Sequence, residues 1–160
     1  MLDKLFFGSR LHEHSEPSQR VLGVGALPPD SPVLEQMLAA DPSADVRAAA
    51  AGRCGNPAAL LAAVQAEREP QTRAAIASAL AKLLAASPDA NAVRSVLEAP
   101  DCTDDVRAEL VLLTHDDARR RAAIDGIGNE DALVRVALAA EHASVRIAAA
   151  ERVRSAEPLR

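Results

Sequence analysis

At 160 residues the chain is long enough for one domain of ordinary size with a core that stabilises itself. Apolar residues make up 49% of it, yet it has no Trp or Tyr and only two Phe, so the interior must be built from Ala, Leu, Val and Ile. That composition suits closely packed helices and argues against a β-sandwich, while a formal net charge of −5 leaves only local basic strips to attract nucleic acid or an anionic membrane.

The opening Met1-Leu2-Asp3-Lys4-Leu5-Phe6-Phe7-Gly8 is too short for the apolar region of a signal peptide, and no small-residue cleavage site follows it. No stretch approaches the ~20 apolar residues that cross a bilayer, so a soluble cytoplasmic protein is expected. Residues 1–15 read as an N-terminal cap or tail, with Phe6 and Phe7 covering the end of the first repeat or, alternatively, docking on a partner or membrane surface. Within it, His12-Glu13-His14-Ser15-Glu16 has metal-ligand chemistry but too few ligands, and reads as a solvated loop.

From Glu16 onward one phrase recurs, in stronger and weaker copies: an acidic or small residue, an apolar or small anchor, Arg, then a helical run of Ala, Leu, Ile and Val. The anchors are Gln19, Val46, Thr72, Val106 and Val145, followed by Arg20, Arg47, Arg73, Arg107 and Arg146. Four residues past each anchor come Gly23, Ala50, Ile76, Leu110 and Ala149, and eight past it Leu27, Cys54, Leu80, Thr114 and Val153. Those offsets share one face of a 3.6-residue helix. Glu16, Ser43, Glu69, Thr103 and His142 fall at the N-cap, with Ser43 and Thr103 good capping residues and Pro17 and Pro70 next in line.

Between these helices, Ser31 to Ala40, Asn56 to Glu67 and Asn129 to Ala140 each open on a capping signal and carry Leu or Val at helical spacing. The links are short, with Gly55 and Gly128 as helix stops, which makes neighbouring helices antiparallel. The Arg spacing is regular from Arg20 to Arg47 to Arg73, then stretches before Arg107. Arg119-Arg120-Arg121-Ala122-Ala123-Ile124 is a degenerate copy centred on Arg120 that restores the period to Arg146. Asp101 to Leu113 is therefore either the first or the second helix of its pair, and an extra helix is expected between Ala81 and Asp117.

A two-helix unit too small to bury its own apolar face, repeated several times, is the pattern of an α-solenoid. The phrase Asp-x-x-Val-Arg-x-Ala-Ala resembles the short HEAT-like repeats of bacterial proteins and of phycobilisome lyases, over roughly Glu16 to Arg154. More narrowly, Met-Leu-Asp-Lys-Leu-Phe-Phe and the order of helices to Ser144-Val-Arg-Ile-Ala-Ala-Ala-Glu-Arg-Val are similar to the N-terminal arrays of bacterial proteins bearing domain of unknown function three-four-nine. The resemblance implies an all-α fold: an α-solenoid of antiparallel HEAT-like helix pairs, about ten helices in a right-handed superhelix, forming a single domain over residues 16–154 with a C-terminal tail at 155–160. Long charged helices usually follow in that family, so the chain is expected to be a fragment or short member.

Gly23-Val24-Gly25 and Gly126-Ile127-Gly128 lack the third Gly, the preceding strand and the Lys-Ser/Thr pair of phosphate loops, and read as helix punctuation. Cys54 and Cys102 read as free thiols, Cys54 buried in the core and Cys102 more accessible. No nucleophile stands with a base and an orienting group, and no cofactor or metal is assigned. The candidate residues are the arginines Arg20, Arg47, Arg73, Arg107, Arg119, Arg120, Arg121 and Arg146. They form a column at the edge of the apolar face, either laddering the repeats together or facing an acidic partner. The expected function is a non-catalytic scaffold that binds an unidentified protein. The alternatives are nucleic-acid backbone binding through an Arg strip and a bilin-lyase-like enzyme subunit.

Overall fold

A computed structural model describes residues 11–156. Among them are ten α-helices, one 3₁₀ turn at Leu11–Glu13 and no strands: α1 (Pro17–Val24), α2 (Pro32–Ala40), α3 (Ala44–Arg53), α4 (Pro57–Ala66), α5 (Pro70–Ala86), α6 (Ala90–Glu98), α7 (Asp104–Leu113), α8 (Asp117–Asp125), α9 (Glu130–Ala139) and α10 (Ala143–Ala156). The fold is all-α. No described helix is long and apolar enough to cross a membrane. Phe6, Phe7 and the C-terminal tail beyond 156 lie outside the described residues.

The chain divides into two compact units, residues 1–80 and 81–160, with the division inside α5. In the first, α2 packs on α3, α1 lies beside α3, and α2 lies beside α4. Leu34, Leu38, Val46, Leu60, Val64, Ile76 and Leu80 form its buried centre. In the second, α7 packs on α8 and α9 on α10, with α7 beside α9 and α6 against α8. Val93, Leu97, Val106, Leu110, Ile127, Leu133 and Val136 are buried there. The anchor-plus-four residues Gly23, Ala50, Ile76, Leu110 and Ala149 are all buried, as one apolar stripe per helix requires.

Several helix starts follow from local chemistry. The side chains of Ser31, Asn56, Asp89, Thr103, Asp116 and Asn129 each accept a first-turn backbone N–H. Pro17, Pro32 and Pro57 begin α1, α2 and α4, where a missing N–H costs nothing. Ser43 departs from expectation: its hydroxyl makes no capping bond. Its N–H is instead donated to Asp41 Oδ1 at 2.8 Å.

The glycine stops are also corrected. α3 ends at Cys54 and α8 at Gly126, and no described glycine has a positive φ. Six helices end instead on an extended residue, with ψ from 128 to 138° at Asp41, Cys54, Glu67, Ala99, Thr114 and Ala140. An extended C-cap stops the helix without the left-handed turn that makes glycine useful, and leaves last-turn carbonyls in want of donors.

The expected extra helix is α6. It interrupts the alternation, and α7 takes the first-helix place of the α7–α8 pair.

Candidate functional site

Each phrase arginine stands four residues past its N-cap. Side chains on a helix lean toward its N-terminus, and at three of these junctions the guanidinium reaches back over the first turn to the end of the preceding helix. Arg47 Nη1 donates to the carbonyl of Asp41 (2.8 Å), Arg120 Nη2 to that of Thr114 (2.7 Å) and Arg146 Nη1 to that of Ala140 (2.9 Å). Asp41, Thr114 and Ala140 are the C-caps of α2, α7 and α9. A guanidinium therefore serves the carbonyls that the extended caps leave open, at the negative end of a helix dipole.

In the first unit the clamps join into a network. Arg20 grips Asp41 fork to fork, Nε to Oδ2 and Nη2 to Oδ1 both at 2.8 Å, and its Nη1 donates to the carbonyls of His14 and Ser15. Arg47 grips Glu67 in the same way, at 2.7 and 3.0 Å. Glu67 Oε1 also accepts the N–H groups of Arg68 and Glu69. The Arg47 guanidinium, with those two N–H groups, outweighs burial and holds the Glu67 carboxyl at about 2. Burial pushes Asp41 upward, but the Arg20 fork and the Ser43 N–H leave it below the usual carboxylate range.

The second unit uses the same chemistry at separate junctions. Arg107 donates to the carbonyls of Leu97 (2.9 Å) and Cys102 (2.7 Å) and to Asp104 Oδ1 (2.9 Å). Asp104 Oδ2 in turn accepts the N–H groups of Gly128 and Asn129 ahead of α9. Arg119 holds the carbonyls of Leu84, Ala85 and Ser87 where α5 ends, and Arg120 also pairs with Asp117. Arg152 donates to the carbonyls of Ile124 and Ile127, and Arg135 on α9 reaches Asp105 and Glu109 on α7.

Six of the eight candidate arginines, Arg20, Arg47, Arg107, Arg119, Arg120 and Arg146, thus donate to carbonyls or carboxylates at helix ends. Half-buried Arg73 and exposed Arg121 have no side-chain partner among the described residues. Arg20 and Arg47 share one network through Asp41. The acids Asp41, Glu67 and Asp104 escaped sequence reasoning, although an acid 20 or 21 residues after a phrase arginine was a usable signal for the first two.

Cys54 and Cys102 are free and both are buried, so Cys102 is not the more accessible thiol expected. It lies within the α6–α7 link, where Arg107 Nη1 donates to its carbonyl. Burial pushes both thiols up. Among the described residues no three His, Cys, Asp or Glu side chains gather as metal ligands, and His14 Nδ1 accepts the Glu16 N–H. No protein-family model, curated protein or solved structure matches the chain. Its functional reading therefore rests on its own geometry.

Proposed function

We propose that the chain is a non-catalytic helical scaffold that binds another protein, built as a right-handed solenoid of HEAT-like helix pairs and working in a bacterial cytoplasm. The observation that carries this reading is the recurrence of one clamp, an arginine donated to the C-cap carbonyl of the preceding helix, at Arg47, Arg120 and Arg146. A repeated junction of this kind supports repeated helix pairs, and stacked pairs present long continuous surfaces suited to protein partners. The charged groups with the strongest interactions are engaged in joining helices, which favours a framework over a reaction centre. It also favours a protein partner over phosphate backbone, because six of the eight candidate arginines already have acceptors.

Affinity capture from cell extract, followed by cross-linking of the retained species, tests the reading. Retention of one protein in fixed ratio supports it. Failure to retain any macromolecule together with turnover of a small molecule, or steeply salt-dependent nucleic-acid binding, overturns it.

A further inference from the structure

Helices α2 and α4 run side by side in the first unit and leave between them a groove of about 560 Å³. The two helices are parallel and tied at both ends. At one end Asn56, the N-cap of α4, donates its Nδ2 to Glu35 Oε1 in the first turn of α2 at 2.8 Å. At the other, Arg47 bridges the Asp41 carbonyl and the Glu67 carboxylate, at the C-caps of the two helices. Ala39, Ala40, Ala59, Ala62 and Ala66 line the groove, and of these all but half-buried Ala59 are exposed.

Its charges are unevenly settled. Asp41 is neutralised by Arg20 and Glu67 by Arg47, each through a two-point fork. Glu35 has only the neutral amide of Asn56, and the side chain of Arg68 has no partner among the described residues. Both line the groove, one negative near its N-terminal end and one positive at its C-terminal end. Glu35 lies six residues before the C-cap of α2 and Arg68 one residue past the C-cap of α4, so the two positions are offset by about seven residues along the groove, a rise of ~10.5 Å in an α-helix.

We propose that this groove receives one helix of a partner protein. The partner presents small apolar side chains to the alanine lining, a Lys or Arg to Glu35, and an Asp or Glu seven residues away to Arg68. Alanines on both walls let a third backbone approach closely, so apolar burial supplies affinity, as in other helix-in-groove complexes. Half-buried Glu35 and exposed Arg68 set direction and register, and a like charge placed opposite the seated helix opposes its docking. This inference rests on the scaffold reading and specifies its partner.

The test uses the full chain with a photo-cross-linking phenylalanine at Ala62, in the groove, or at Ile147, an exposed apolar site on α10. The expected adduct from the Ala62 position is a helical segment with a small apolar seam and a base and an acid seven residues apart. Glu35→Gln combined with Arg68→Glu abolishes that adduct while the thermal melt stays unchanged, and an acid-to-base exchange in the partner segment restores it. Glu35→Gln keeps the acceptor for Asn56, so loss of capture reports charge rather than unfolding. An Ala62 adduct indifferent to both charges, an adduct with nucleic acid, or protein capture only from Ile147 overturns the groove proposal; the last leaves the scaffold standing. Protein capture from neither position overturns both.

Discussion

Arg47 and Glu67, 20 residues apart, meet with both forks aligned, Nε on Oε2 at 2.7 Å and Nη2 on Oε1 at 3.0 Å, and the carboxylate side chain is only 5% exposed. Two parallel charge-assisted bonds in a site shielded from water make this, with Arg20–Asp41, one of two forked ties between helices in the first unit. It has a direct consequence for acid stability. Glu67 is held at about 2, below its ordinary value of 4.5, so its contribution is fully present above pH 4.5 and is lost as pH falls through 2. Thermal melting points measured from pH 5 to pH 2 will fall across this window, and Glu67→Gln will lower the starting point and flatten the slope. A variant with the same slope as the parent would show that other carboxylates set acid stability.

The triplet Arg119-Arg120-Arg121 separates clamped from free arginines within three consecutive residues. Arg120 is buried between Thr114 and Asp117, whereas Arg121 is exposed without a partner among the described residues. Arg120→Ala is expected to cost about 1.5–3 kcal/mol, the range for bonds to charged groups, and Arg121→Ala within about 0.5 kcal/mol. Urea unfolding of the two variants checks the contrast. Equal losses would mean that the clamp contributes nothing specific.

Gly23 and Gly126 are placed for space rather than for backbone conformation. A Cβ on Gly126 would stand 2.7 Å from Arg107 Nε and 2.9 Å from its Cδ, displacing the side chain that holds the Leu97 and Cys102 carbonyls. On Gly23 it would strike the backbone of His12 and lie 2.7 Å from the carbonyl carbon of Leu11. Gly52 has nothing within 4 Å. Calorimetric melting of the three Gly→Ala variants should find Gly52→Ala stabilised by about 0.5–1 kcal/mol, because a helical glycine loses its entropic penalty. Gly126→Ala and Gly23→Ala should both melt lower, Gly23→Ala most of all because backbone cannot rotate aside.

Both thiols are buried and pushed up by burial, so neither offers much thiolate at pH 8. Ellman's reagent should titrate no thiol in the native protein and two after denaturation. Rapid reaction of one thiol in the native state would show that its cover opens readily.

Much of the fold is written in local pattern. Ser31, Asn56, Thr103 and Asn129 mark helix starts because each needs only its own side chain and the next turn of backbone. The offsets four past each anchor mark buried faces because helical periodicity is a property of the chain itself. The stretched interval before Arg107 announced α6, and Arg120 kept its phase because it does what Arg47 and Arg146 do.

What the arginine heads touch was decided only in three dimensions. A flexible side chain can meet a carboxylate 20 residues away or a carbonyl six residues back, and the choice depends on how far apart neighbouring helices lie. Ser43 lacks a capping bond while Asp41, across the turn, takes its N–H. Cys102, in the α6–α7 link beside a cap, reads as the more accessible thiol and is buried instead. Composition and periodicity settle which residues are helical and which face inward, since those follow from neighbours along the chain. The pairing of charges, the tolerance of each glycine and the open groove between α2 and α4 follow from neighbours across space, and they emerge only once the helices are packed.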